Sequence, residues 1–120
     1  MSINLEEFKN VGSKIGGIGG IEKSGIVEVV EKNEVEVKIL YVVGLDDEKR
    51  VLKMSEVIRL NDNKILKNYY CLVEIKSKKV LKEKKNGGLS SVIGKNDSEY
   101  KGILSFFRKK RLEVLGENNG

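Results

Sequence analysis

The chain has no histidine, no proline and no tryptophan, and only one cysteine among its 120 residues. Without histidine there is no imidazole base, no Ser-His or Cys-His pair and no His-ligated zinc site. The single cysteine, Cys71, forms no intramolecular disulfide, and its neighbours Tyr70 and Leu72 predict a small buried side chain instead of a nucleophile. We therefore expect neither an enzyme nor a bound metal or other cofactor.

Long hydrophobic runs are also missing. The longest, residues 39–43, falls far below the roughly 20 residues that a membrane helix needs. The first residues include Glu6 and Glu7, whereas a secretory signal opens with basic residues and an apolar stretch. We therefore expect a cytoplasmic protein without a membrane partner. The excess of Lys, Asn and Ile is typical of an AT-rich gene, and it predicts a low-GC bacterium, or a phage or plasmid of one, as the source.

Charge is distributed unevenly along the chain. Overall, 23 Lys and Arg stand against 18 Asp and Glu, which gives a formal net charge of +5. Residues 1–60 carry 9 basic and 11 acidic side chains, whereas residues 61–120 carry 14 basic and 7 acidic side chains. The second half, at +7, is therefore the half expected to meet a polyanion.

The first half has the pattern of short β-strands joined by tight turns. Residues 34–39 alternate polar and apolar side chains strictly, which places Val35, Val37, Ile39, Tyr41 and Val43 on one face of a strand over residues 34–43. Lys32-Asn33 before them is a turn signal. Ser55-Glu56-Val57 is typical of a single helical turn with a Ser cap. The strands predicted around these features are residues 26–31, 34–43, 49–54 and 58–60.

Glycines precede this pattern, in Val11-Gly12-Ser13-Lys14-Ile15, at Gly19-Gly20 and at Gly25 before residues 26–30. Residues 11–60 thereby resemble SH3-like small barrels, including the KOW type. In those domains a glycine-bearing turn precedes a strand, and a one-turn helix precedes the last strand. The resemblance implies a small barrel. It implies neither nucleic-acid nor Pro-rich peptide binding by these residues, because the first half is net acidic and Tyr41 is the one aromatic residue between residues 11 and 60.

The second half is less regular. Tyr, Cys, Val and Ile favour a strand over residues 69–76, although an apolar stripe over residues 66–81 also fits a helix. Asn86-Gly87-Gly88 is a turn signal. Asn96-Asp97-Ser98 offers an N-cap for a C-terminal helix of about residues 97–112, which a polar tail follows.

The fold class predicted from these patterns is α+β and β-rich. Residues 1–62 are expected to form the SH3-like small barrel with an N-terminal segment. Residues 63–120 are expected to form a basic β/α extension that ends in the helix and the polar tail.

Two basic clusters in the second half are the candidate site. We select Lys78, Lys79, Lys82, Lys84 and Lys85 from the first, and Arg108, Lys109, Lys110 and Arg111 from the second. Consecutive helical residues spread around the whole circumference, so at most two or three of the second group could face one phosphate backbone. The alternative for both clusters is a solubilising surface with cations near a helix C-terminus.

Together these features predict a non-enzymatic protein that binds the phosphate backbone of DNA or RNA through the nine selected residues. The alternative is a small protein-binding module or inhibitor, encoded by a mobile element, that docks to a host protein. In that case the acidic first half would form the contact face.

Overall fold

Five β-strands are followed by one long helix in the computed structural model, which describes residues 25–118. The strands are β1 Gly25–Lys32, β2 Glu36–Leu45, β3 Arg50–Arg59, β4 Lys64–Glu74 and β5 Lys79–Lys85. A 3₁₀ turn, Leu89–Ser91, precedes the helix α1, Tyr100–Asn118.

The strands form a single antiparallel sheet in the order β1-β2-β3-β4-β5, so each strand pairs with its neighbour in sequence. Tight turns join them. In the β1–β2 turn, the Asn33 side-chain oxygen accepts hydrogen bonds from the backbone N–H groups of Val35 and Glu36, at 2.8 and 2.9 Å. Asn63 and Lys78 adopt positive φ angles in the last two hairpin turns, which lets the chain reverse within a few residues.

The SH3-like small barrel predicted for residues 11–60 is wrong for the part of that range that the structure describes. β1 and β5 are the two edges of an open sheet, and a barrel would require the edges to pair. Residues 11–24, which carry part of the resemblance, lie outside the described residues. The coarser prediction, a β-rich α+β protein with a C-terminal helix, is confirmed. The boundary predicted between residues 62 and 63 falls in the turn between β3 and β4 of this one sheet.

The helical turn predicted at Ser55-Glu56-Val57 is also wrong, because β3 runs unbroken from Arg50 to Arg59. The prediction rested on Ser55 as a helix cap. In the structure Glu56 occupies a core-facing position of the strand and is only 1% exposed. An ion pair with α1, described below, accounts for its burial.

In the second half, the strand alternative is confirmed and the helical one is wrong: β4 spans Lys64–Glu74, with Cys71 buried within it. The helix predicted at about residues 97–112 begins at Tyr100 and continues to Asn118, so the first residues of the predicted polar tail are helical. Asp97 lies before the helix, where its carboxylate accepts a hydrogen bond from the Glu99 backbone N–H at 2.9 Å.

The main core lies between α1 and one face of the sheet, which we call the helix face. Alternate residues of β2 are completely buried there: Val37, Ile39, Tyr41, Val43 and Leu45. Ile103, Phe106 and Phe107 of α1 pack against them, and the ring centroids of Tyr41 and Phe107 lie 5.2 Å apart. The strict alternation in the sequence thus predicted the buried side of β2 correctly from Val37 to Val43.

The opposite side of the sheet, the second face, carries a smaller apolar cluster. Val42 and Val51 are buried in it, and Ile26, Leu40 and Ile75 pack around them. Residues paired directly across antiparallel strands share a face. Strand register therefore assigns every side chain of the sheet to the helix face or to the second face.

Gly25 in β1 provides a test of the packing between sheet and helix. A Cβ atom at Gly25 would lie 2.6 Å from the Val42 carbonyl oxygen and 2.9 Å from a ring carbon of Phe106. We expect Gly25→Ala to lower the free energy of unfolding by about 1–3 kcal/mol through overpacking. Gly116→Ala is the matched control, because nothing lies within 4 Å of its added methyl group. That change should be neutral or stabilising by up to about 1 kcal/mol. Equal urea midpoints for the two variants would contradict this packing.

Candidate nucleic-acid interface

The first predicted lysine cluster lies on the edge strand β5, all seven residues of which are exposed. Lys82 pairs with Leu72 and Lys84 pairs with Tyr70, so both lysines lie on the helix-face side of the edge. Lys85 pairs with Tyr69 and lies on the second face. Of the two remaining members, Lys79 opens β5 and Lys78 precedes it in the turn, with a φ angle of 59°. The structure therefore brings this cluster together along one edge.

The second predicted cluster is divided by the helix. Arg108 and Lys109 are exposed on the outer side of α1. Lys110 is half-buried, and its Nζ lies 3.3 Å from Oε2 of Glu113. Arg111 turns inward, towards the sheet. These four residues therefore do not form one phosphate-binding surface.

Half-buried Arg111 forms an ion pair with the buried Glu56, which the sequence analysis did not predict. Its Nε and Nη2 groups donate to Oε1 and Oε2 of Glu56 at 2.7 and 2.9 Å. The Tyr41 hydroxyl donates to the same Glu56 carboxylate. Two of the Arg111 donors thus bind Glu56. Arg111 is therefore not a candidate phosphate contact.

The same network changes the acidity of its members. Burial, followed by the charge of the Glu56 carboxylate, raises the pKa of Tyr41 above its usual range. The hydrogen bonds to Glu56 raise the pKa of Arg111, which holds its positive charge more firmly in the folded protein. A spacing signal for this role was present: Arg111 follows Ile103 by eight residues and Phe107 by four, which places it on the buried stripe of the helix.

A pocket on the second face, which we call the Tyr69 pocket, brings the predicted Lys85 together with residues that the sequence analysis did not select. Its volume is about 310 Å³. The lining residues with side chains on the second face are Lys38, Ser55, Val57, Lys67, Tyr69 and Lys85. Lys38 comes from β2, Lys67 from β4 and Lys85 from β5. Only the strand register brings them together, and for this reason no motif in the sequence indicated the pocket.

Tyr69 is fixed within this pocket by a hydrogen bond from its hydroxyl group to Oε2 of Glu83 on β5. This bond raises the pKa of Tyr69 above its ordinary value. Ser55 is paired with Tyr69 across β3 and β4, and Lys85 is paired with it across β4 and β5. A tyrosine ring therefore lies between a hydroxyl and an ammonium group on one side of the sheet.

No family model matches the chain, and neither the curated proteins nor the solved structures contain a match. These comparisons do not bear on the resemblance to KOW-type modules. Within residues 25–118 no cluster of three or more acidic or cysteine side chains could hold a metal ion. Over the same residues no helix has both the length and the apolar character required to cross a membrane.

The Glu56–Arg111 pair predicts that replacing Arg111 lowers the free energy of unfolding far more than replacing Arg108, another arginine of the same helix. Arg111→Ala leaves the Glu56 carboxylate buried without its cation, and we expect a loss of about 3 kcal/mol in the free energy of unfolding. Arg108→Ala, on the exposed side of α1, should change it by no more than about 0.5 kcal/mol. Urea unfolding measures both values. A mild effect of Arg111→Ala, similar to that of Arg108→Ala, would contradict a structural role for the pair.

Tyr41 predicts a loss of stability at alkaline pH. Its pKa is raised above the ordinary value of 10.0, so folding favours the protonated hydroxyl. The contribution is complete below pH 10 and is lost as the pH rises further, because the unfolded chain then releases the proton more readily. We expect the free energy of unfolding to fall by up to about 1.4 kcal/mol per pH unit above pH 10 for this one group. In urea titrations from pH 9 to pH 11.5, Tyr41→Phe should show a smaller slope than the wild type, and an equal slope would contradict the assignment.

Proposed function

We propose that this protein binds nucleic acid without catalysing a reaction, and that its β5 edge contacts the phosphate backbone. The observation that carries the proposal is the composition of this exposed strand. Four of its seven residues are lysines, and a fifth lysine, Lys78, precedes it. Glu83 is its one acidic residue, and that carboxylate accepts the hydrogen bond from Tyr69.

The geometry of the edge supports contact with a polyanion. Lys79, Lys82 and Lys84 form no ion pair within the described part of the chain, so their charges are available to a ligand. At roughly 3.3 Å per residue, the distance from Lys79 to Lys85 is about 20 Å. That length corresponds to about six nucleotide steps of a duplex at 3.4 Å each. With no base-reading motif in the sequence, sequence discrimination should be weak.

Docking to a protein remains the alternative function, and the other edge of the sheet is the observation that favours it. Val29 and Val30 on β1 are each 43% exposed, beside the exposed carboxylates of Glu28 and Glu31. An edge strand of this kind could accept a strand from a basic partner protein. We favour nucleic acid because the β5 edge carries charge of nearly one sign.

Two double variants of equal charge test the role of β5. We expect Lys82→Ala/Lys84→Ala to weaken binding to duplex DNA at least tenfold at low salt. For the wild type, the log–log salt slope should be roughly −4 to −5, the value for about five neutralised phosphates. In this variant the magnitude of the slope should be smaller by about two. The control is Lys32→Ala/Lys49→Ala, which removes two exposed lysines from the acidic half. Fluorescence anisotropy at about 50 and 200 mM salt measures affinity and slope for wild type and variants.

Three results would each overturn the proposal or its assignment to β5. One is the absence of binding by the wild type to duplex DNA, single-stranded DNA and RNA at low salt. Another is an equal loss of affinity in the two double variants, because net charge alone would then explain the binding. Strong binding with no loss in Lys82→Ala/Lys84→Ala would remove β5 from the interface.

A further inference from the structure

The Tyr69 pocket carries positive charges, on Lys38 and Lys67, that take no part in the proposed backbone contact on β5. Lys38, Lys67 and Lys85 line it from three strands. None of these three lysines forms an ion pair with another residue of the described part. Glu56 also borders the pocket, but its carboxylate lies on the helix face, bonded to Arg111. The pocket therefore presents three lysines without an ion pair within residues 25–118, beside the Glu83 carboxylate that accepts the hydrogen bond from Tyr69.

The aromatic ring lies between these charges. On β4, Lys67 precedes Tyr69 by two residues, so both side chains emerge on the second face about 7 Å apart. Across the sheet, Lys85 is directly opposite Tyr69, where side chains emerge about 5 Å apart. The hydrogen bond to Glu83 restricts the rotation of the ring. An aromatic ring between cations is the arrangement that stacks on a base while neighbouring ammonium groups bind phosphates.

We propose that the Tyr69 pocket binds single-stranded nucleic acid, with an unpaired base stacked on Tyr69 and adjacent phosphates on Lys38, Lys67 and Lys85. This proposal rests on the proposed function and narrows it to a form of nucleic acid. Ser55, opposite Tyr69, supplies a hydroxyl group that can bond to the edge of the base or to the sugar. Stacking tolerates any base, so the pocket requires no particular sequence.

The shape of the pocket favours an unpaired base over a duplex. A volume of about 310 Å³ lies at the lower end of the range for small-ligand pockets, which suits one base and its sugar. In a duplex each base is stacked between its neighbours, and its face reaches a protein side chain only after extrusion at a cost of a few kcal/mol. A single strand exposes that face without this cost.

Lys85 connects the pocket to the basic edge. It belongs to β5, yet its side chain lies on the second face and lines the pocket. Lys82 and Lys84, on the other side of the same edge, are within three residues of it. A single strand could therefore run from the edge into the pocket with lysines beside its phosphates throughout.

Tyr69→Leu and Tyr69→Phe separate stacking from the other effects of the ring. The ligands are labelled oligo-dT and oligo-U of about twelve nucleotides, and a duplex of the same length. We expect Tyr69→Leu to weaken binding of both single strands about tenfold and to leave duplex binding within twofold of wild type. Tyr69→Phe keeps the ring and should retain single-strand affinity within about threefold. Tyr100→Leu, which alters a tyrosine of α1 that packs against the core on the opposite side of the sheet, is the control and should bind like the wild type.

A second measurement does not depend on the folding of any variant. Oligo-U containing 5-iodouracil is photocrosslinked to the wild-type protein, and the crosslinked residue is identified by mass spectrometry. A crosslink to Tyr69 supports the proposal, and crosslinks confined to other residues overturn it.

The outcomes distinguish this inference from the proposed function. If the wild type binds neither single strands nor duplex, the proposed function fails. If the wild type binds single strands but Tyr69→Leu binds them equally well, the Tyr69 pocket fails and backbone contact on β5 stands. Equal loss of duplex and single-strand affinity in Tyr69→Leu, with an unchanged urea midpoint, would also overturn the assignment of the pocket to an unpaired base.

Discussion

The ion pair between Glu56 and Arg111 is the constraint on which the packing of the helix against the sheet depends. A lone carboxylate in the core is costly, so the folded chain must bring a cation to it. Arg111 can reach Glu56 only when the stripe that contains Phe107 faces the sheet. The same rotation of the helix buries Phe107 against Tyr41, whose hydroxyl completes the set of donors around the carboxylate. Apolar packing supplies the driving force, and the ion pair selects one rotation and one position of the helix along the sheet.

This arrangement also explains why the sheet stays open. A small barrel buries its core by curling the sheet until its edges meet, whereas a sheet covered by a helix buries one face without closing. Ile103, Phe106 and Phe107 fill the space above β2 and β3, and the connection after β5 adds Leu89, Val92 and Ile93 to the same core. The edges β1 and β5 consequently remain exposed, as does the basic pocket on the second face.

The sequence predicted features that depend on near neighbours and missed those that depend on distant ones. The buried side of β2 and the presence of the C-terminal helix were predicted correctly, because both follow from patterns among near neighbours in the sequence. β3 was divided incorrectly at Glu56, since the cation that permits its burial lies 55 residues further along the chain. The barrel was inferred from local glycines and turns, which do not determine whether the edges of a sheet meet. The Tyr69 pocket could not be predicted for a similar reason: Lys38, Lys67 and Lys85 become neighbours only through the register of four strands.

Edge protection alone does not account for the distribution of lysines. Charged side chains on an edge strand prevent the pairing of one sheet with another, and β5 meets that need. β1 is an edge too, however, and it mixes Glu28 and Glu31 with Lys32, so protection requires charge but not charge of a single sign. Lys38 and Lys67 lie on inner strands, where no edge needs protection, yet they line the same pocket as Lys85 of β5. Lysines that extend from an edge strand to a pocket with an aromatic ring are suited to a polyanion, and this is the reason for proposing nucleic acid as the ligand.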